Sequence, residues 1–350
     1  MNKRSLPTQV DILIIGAGPV GLFTVFEAGI LELECHLIDS LGRPGGQCIE
    51  LYPEKPIYDI PGVPNQTARE HVEALVKQAD PFNPTFHLAQ TVTKLVTTTN
   101  KDEEKEFHVS TSAGKRFITK NIIIAGGAGN FHPKKPPING LEKFEGKGLE
   151  YAVRDKEKYT SKRVLIFGGG DSALDWAVEL AQKAKEVTLI HRTANYRAAP
   201  HTVKQARALS NVKEVTGTLE RLEDGKRYLD YAVVKTDGEP IILPCDEVLI
   251  FYGLKTDLTF LKDWGLELEL DSDERKIPVD TEKFQSNVPG IFVVGDMCTY
   301  PGKLPLILCG FHETTLAVQE CFHRARPGEK LRFLYTTTSP KLRKKLDNIH

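Results

Sequence analysis

An α/β fold of two Rossmann-like, three-layer dinucleotide-binding domains is what this 350-residue sequence predicts, on three observations. An apolar, β-branched run at residues 10–15 (VDILII) enters the turn Gly16-Ala17-Gly18-Pro19-Val20-Gly21. A second run at 163–167 (RVLIF) enters Gly168-Gly169-Gly170-Asp171-Ser172-Ala173. The spacing then repeats: Gly16 to Asp39 and Gly168 to His191 are both 23 positions. One glycine motif of this kind is weak evidence, whereas two at equal spacing in the context of strand, turn and helix are strong.

Each element has a reason. Residues 10–15 are apolar without alternation, as expected of a parallel strand buried on both faces. The first Gly makes the tight turn, the second lets a pyrophosphate approach the backbone, and the third lets helix pack on strand. A helix to about residue 29 offers its positive end to the phosphates. Residues 34–38 form the next strand and end in Asp39, placed to hydrogen-bond a ribose diol. The second unit repeats this with the accepted G-x-G-x-x-A variant, a helix through about residue 183 and a strand at 187–190. It ends instead in His191-Arg192, with Arg197 six positions after the His. A carboxylate there would repel a 2′-phosphate, which Arg forks bind in bidentate fashion. The second site therefore suits NADPH/NADP+, and the first a dinucleotide with a plain ribose, such as FAD.

The length suits about two domains. Lys+Arg 46 against Asp+Glu 47 argues against a surface adapted throughout to nucleic acid or anionic membrane. No apolar run approaches the ~18 residues of a transmembrane helix. Lys3 and Arg4 precede an apolar stretch, but Gln9 and Asp11 interrupt it and a folded motif follows. A cytoplasmic chain is expected. Cys35, Cys48, Cys245, Cys298, Cys309 and Cys321 are never closer than eleven positions. There is thus no C-x-x-C dithiol and no clustered metal-ligand spacing, so no metal site is expected.

These residues resemble a known family: two-dinucleotide-domain flavoproteins with thioredoxin-reductase architecture, and more closely the thioredoxin-reductase-like ferredoxin–NADP reductases. The resemblance spans nearly the whole chain. It rests on the two glycine turns, on Gly45-Gly46-Gln47 with residues 51–55 (LYPEK) and 57–59 (IYD), and on 168–176 (GGGDSALDW). It rests also on 191–192 with 196–198, on 288–292 (VPGIF) with Gly295-Asp296, and on 335–337 (YTT). It implies that Asp296 contacts the flavin's ribityl chain, and that Gln47 and Tyr52 sit beside the ring, Tyr52 stacked on one face. Tyr335 would cover the other face, where the family often has His. Thr336 and Thr337 would lie near the reacting nitrogen, Val92 would lend backbone groups to the adenine, and Phe131 would flank the flavin. Two departures stand out. Thr193 replaces a second Arg common in relatives, which weakens the case for strict NADPH preference, and Tyr335 stands in for His.

Flavin contacts at 16–52 and at 296 bracket the nucleotide unit at 168–197. The NADPH domain is therefore expected to be inserted into a discontinuous FAD domain: 1–127 and 252–350 for FAD, with a C-terminal extension 326–350, and 128–251 for NADPH. The chemistry is hydride transfer from nicotinamide to flavin, then single-electron transfer to a carrier, with no side-chain general acid or base required. The helix from about Gly310 is expected to aim its positive end at the flavin. Lacking a dithiol, the chain fits an external acidic carrier, ferredoxin or flavodoxin. Eight Lys/Arg against one Glu between residues 324 and 345 offer steering. The resemblance also suggests a homodimer. The alternatives are a disulfide reductase using a partner's dithiol, and a redox sensor without turnover.

Overall fold

A computed structural model describes residues 6–99, 105–225, 229–331 and 340–346. The chain divides into two compact units, Met1–Asn130 with Thr256–His350, and Phe131–Lys255. The divisions fall inside two short strands, Asn130–Pro133 and Leu254–Asp257, which pair with each other.

The first unit is built on five parallel strands in the spatial order Thr85–His87, Cys35–Ile38, Thr8–Ile15, Arg116–Ile124, Ile291–Val293. The last of these comes from beyond the second unit, pairing Ile291 with Ile122. On the edge away from Thr8–Ile15, Arg116–Ile124 serves two partners. Its first half is antiparallel to Lys105–Thr111, which in turn pairs with Val92–Thr99. The apolar run in Thr8–Ile15 is explained by both faces being covered. Ile12 and Ile14 pack with Val25, Ala317 and Val318 of helices Pro19–Ile30 and Ile307–Ala325. Val10 and Leu13 pack with Phe107, Phe117 and Trp264 on the other side. Each such fully buried aliphatic side chain contributes about 1.5–3 kcal/mol.

The second unit holds five parallel strands in the order Leu149–Glu150, Glu247–Ile250, Arg163–Phe167, Glu186–His191, Val212–Thr216. Helix Asp171–Ala181 packs on this sheet. A three-stranded antiparallel sheet, Thr218–Asp224, Leu229–Lys235 and Ile241–Pro244, supplies Leu219, Leu222, Ala232 and Val234 to the core around Leu165, Phe167 and Val248. In each unit the strand order turns beside the strand that ends in the glycine turn, which is where open α/β sheets bind ligands. Among the described residues no helix is long and apolar enough to cross a membrane.

A cluster around the buried His87 on the first sheet makes stability depend on pH. His87 Nε2 lies 3.2 Å from His36 Nδ1, and His87 Nδ1 lies 3.0 Å from Lys115 Nζ. Burial, then the Lys115 charge, then His36, lowers the His87 pKa to about 4. Folded His87 thus stays neutral where the unfolded chain protonates it near 6.5, so the unfolded state binds more protons between those values. Stability is expected to fall as pH drops from about 6.5 toward 4, with a shallower fall in His87→Gln. Urea unfolding at stepped pH checks this, and equal slopes in the two proteins would refute it.

Candidate functional site

The repeat seen in the sequence is a repeat of hydrogen bonds. Gly16 N–H donates to Ile38 O (2.8 Å), and Ala125 N–H donates to Ile15 O (2.8 Å). In the second unit Gly168 N–H donates to Ile190 O (3.0 Å), and Phe251 N–H donates to Phe167 O (2.7 Å). A Cβ on Gly16 would lie 2.4 Å from Ala125 O, and one on Gly168 would lie 2.7 Å from Phe251 O. A Cβ on Gly21 would meet Gly16 O at 1.9 Å, whereas the matching position of the second unit accommodates Ala173. The middle glycines differ from these. Nothing lies within 4 Å of where a Cβ of Gly18 or Gly170 would point. Both are N-caps, and neither helix has a side-chain cap. Open space beside uncapped amides at a helix start fits a pyrophosphate, so the residues present fit two dinucleotides.

Around the first turn, Asp39 Oδ2 accepts from Ala17 N–H (2.6 Å) and Oδ1 from Leu41 N–H (2.8 Å). A carboxylate has about four acceptor sites, so two remain for a ribose diol. Burial raises the Asp39 pKa, and the two backbone donors oppose that. Gly45 N–H donates to Ala17 O (2.8 Å), tying helix Gly46–Leu51 to the turn. On that helix Gln47 reaches the turn after Arg116–Ile124, its Nε2 3.1 Å from where a Cβ of Gly127 would stand. Tyr52 ends the helix, with its hydroxyl 3.6 Å from Cys48 Sγ. Burial pushes the Tyr52 phenol well above its usual range, so it stays neutral. The Asp296 charge is among the groups acting on Tyr52, which places the two near each other. Burial also raises Asp296, opposed by Lys303 and Lys276.

Helix Ile307–Ala325 starts against the same place. A Cβ on Gly310 would lie 2.4 Å from Val20 Cγ2 and 3.4 Å from Gly295 Cα. Its N-terminus has no side-chain cap. Glu313, one turn on, is fully buried and accepts from Gly295 N–H. No local motif marks it. Its signal was a lone acid within the helical stripe of buried positions Gly310, Thr314, Ala317 and Cys321.

Val92 heads the antiparallel strand Val92–Thr99, two residues after Gln90, whose N–H donates to Asp39 O (2.9 Å); it is buried, and its own carbonyl accepts from Trp264 Nε1 (3.2 Å). Tyr335, Thr336, Thr337 and the Phe131 side chain lie outside the described residues.

In the second unit the segment after Glu186–His191 is tied to the glycine turn twice. Arg197 N–H donates to Gly169 O (2.7 Å), and Ala199 N–H donates to Asp171 Oδ1 (2.9 Å). The His191 ring lies against Gly169, where a Cβ would sit 2.3 Å from Cδ2, and its Nδ1 is 2.9 Å from Thr193 O. Arg192 and Arg197 are exposed. Ser172 follows Asp171 in the first turn of the helix.

All six cysteines are free thiols, and Cys245, the one in the second unit, is completely buried in its core. Of the basic C-terminal block, Arg324 donates to Asn121 Oδ1 and Arg326 pairs with Asp11, while helix Pro340–Leu346 carries Arg343, Lys344 and Lys345, and Lys345 lies over the Phe82 ring. Phe82 packs on Gly29, near the end of Pro19–Ile30 remote from the glycine turn. The basic helix is thus roughly 15 Å along that axis from the phosphate end. Among the described residues no group of three or more His, Cys, Asp or Glu is arranged to hold a metal ion.

Two such sites define a class, oxidoreductases that bind both FAD and a pyridine nucleotide. The sequence pattern of the pyridine nucleotide-disulphide oxidoreductases matches residues 10–320. The chain is 48% identical over 349 residues to ferredoxin–NADP reductase 2 of Cupriavidus metallidurans, covering 99% of this chain and 93% of the relative. It is 49% identical to the ferredoxin–NADP reductase of Beijerinckia indica, covering 96% and 97%. Among solved structures, Lactococcus lactis thioredoxin reductase is similar at a TM-score of 0.74 and 25% identity, over 90% of this chain and 99% of that one. The chain belongs to the pyridine nucleotide-disulphide oxidoreductase family and, within it, to the ferredoxin–NADP reductases.

Proposed function

We propose that the chain passes electrons from NADPH through FAD to ferredoxin, a low-potential one-electron carrier. The observation that carries this reading against a disulfide reductase is the state of the cysteines. The nucleotide unit holds one thiol, buried in the core, where a disulfide reductase needs an accessible dithiol. The family membership agrees with it.

Bound FAD supplies a hydride acceptor that can release its electrons singly. The protein's work is placement. The open space at Gly18 and the uncapped helix start hold the pyrophosphate, and Pro19 and Val20 shape that helix start. Asp39 holds the ribose, Asp296 the ribityl chain, and Gln47 and neutral Tyr52 border the ring. The Ile307–Ala325 helix directs its positive end at charge that develops on the ring. In the second unit the turn from Gly168 to Ala173 holds the NADPH pyrophosphate, with His191 against the turn and Arg192 and Arg197 on the 2′-phosphate. Flavodoxin is a second carrier of the same chemistry. The basic block at 324–345 attracts such acidic proteins from solution, and a homodimer in the cytoplasm completes the reading.

A carrier screen tests it. Purified protein should be yellow and should oxidise NADPH rapidly with ferredoxin, slowly with NADH as donor, and not with thioredoxin. NADPH oxidation with thioredoxin but not with ferredoxin would select the disulfide reductase. No turnover with any acceptor would select a sensor.

A further inference from the structure

Glu313 is 0% exposed, on the buried stripe of helix Ile307–Ala325. Its hydrogen-bond partners are donors from one short loop. Gly295 N–H donates to Oε2 (2.7 Å), and Cys298 Sγ–H donates to the same oxygen (3.4 Å). The Tyr300 hydroxyl donates to Oε1 (2.8 Å), and the Lys303 ammonium pairs with Oε1. The Lys303 side chain is itself 3% exposed. Four donors from residues 295–303 thus converge on one carboxylate, and the loop they span carries Asp296.

A buried ion pair of this kind is weak evidence for stability, because a well-packed apolar pair often serves the fold as well. Its value here lies in direction. Gly295 has φ +74°, and its N–H is fixed by Glu313. That bond sets the angle at which the next residue leaves the Ile291–Val293 strand. Gly310, one turn before Glu313 on the same face, packs closely on the same glycine.

We infer that Glu313 is a positioning residue for FAD: by gripping the Gly295 N–H, with Lys303 balancing its charge, it aims Asp296 at the ribityl chain. The inference rests on the reading of the first unit as the FAD site. Glu313 acts through Asp296 and touches no reacting atom.

A double-mutant cycle tests it. FAD is titrated into apoprotein of wild type, Asp296→Asn, Glu313→Gln and the double variant, with flavin fluorescence giving Kd and apoprotein Tm followed in parallel. Each single substitution is expected to weaken FAD binding about tenfold, and the double variant to bind no more weakly than Asp296→Asn, because coupled neighbours do not add. NADPH binding in the second unit should be unchanged. Multiplying losses, or wild-type affinity in Glu313→Gln, would overturn the proposal. Should Glu313→Gln fail to fold, the pair Glu313→Gln with Lys303→Met removes both charges together and carries the same cycle. Wild-type apoprotein that binds no FAD would overturn the reading of the site, an outcome separate from loss of coupling.

Discussion

Gly21→Ala should give a colourless, less stable protein, whereas Gly18→Ala should fold as wild type and bind FAD weakly. The two glycines sit three residues apart in one turn, yet their surroundings are opposite. A Cβ on Gly21 would stand 1.9 Å from Gly16 O, a backbone atom that no rotamer change can move aside. Overpacking of this kind costs about 1–3 kcal/mol, and the rigid neighbour puts Gly21 at the upper end. That corresponds to a fall in Tm of roughly 6–12 °C. It also parts helix Pro19–Ile30 from the sheet and misplaces the amides that hold the pyrophosphate. At Gly18 the backbone is extended, with φ −71° and ψ −178°, which alanine adopts freely. A methyl there meets nothing within 4 Å in the protein and occupies the space the pyrophosphate needs. Apoprotein stability should stay within about 0.5 kcal/mol. FAD titration and thermal melts of both variants check the contrast. A Gly18→Ala apoprotein with wild-type FAD affinity would place the dinucleotide elsewhere.

The second large effect concerns coenzyme choice. Replacing Arg192 and Arg197 together with Ala is expected to raise KM for NADPH about a hundredfold and leave NADH almost unchanged. Hydrogen bonds to charged groups are worth about 1.5–3 kcal/mol each when enclosed; at these exposed arginines about 1.4 kcal/mol apiece is expected, tenfold for one and a hundredfold for both. Neither side chain is buried, so the fold should not suffer. Arg197 is the better placed of the two, since its own N–H is bonded to Gly169 O in the phosphate turn. Each single variant should lose about tenfold. Steady-state kinetics with both coenzymes give the answer, and equal losses for NADPH and NADH would remove the arginines from the 2′-phosphate.

The elements that were legible are those whose local rules agree. The run at 163–167 is the strand Arg163–Phe167 without adjustment, and the expected end near residue 29 became Pro19–Ile30. The strand expected at 187–190 gained one residue at each end, as Glu186–His191. The helix placed from about Gly310 begins earlier, at Ile307, because its first turn packs on Val20 and Gly295 through contacts no local pattern reveals. The antiparallel strands at Val92–Thr99 and Thr218–Asp224 are not legible in the sequence, since they are half exposed and their alternation is diluted by Thr and Glu.

By itself the sequence determined the two glycine turns, the acid that ends one unit and the arginines that follow the other. Each depends on neighbours within about 30 residues, and glycine at a turn with φ of +111° at Gly16 or +157° at Gly168 is dictated by local sterics. Only the tertiary structure decided that Ile291–Val293 joins the sheet beside Ile122, so that Asp296 arrives near Tyr52 from beyond an inserted unit. It alone decided that Glu313 faces inward onto Gly295 and not outward into water. Such long-range pairings are fixed by packing and by the need of buried polar groups for partners, and neither is written in the spacing of residues along the chain.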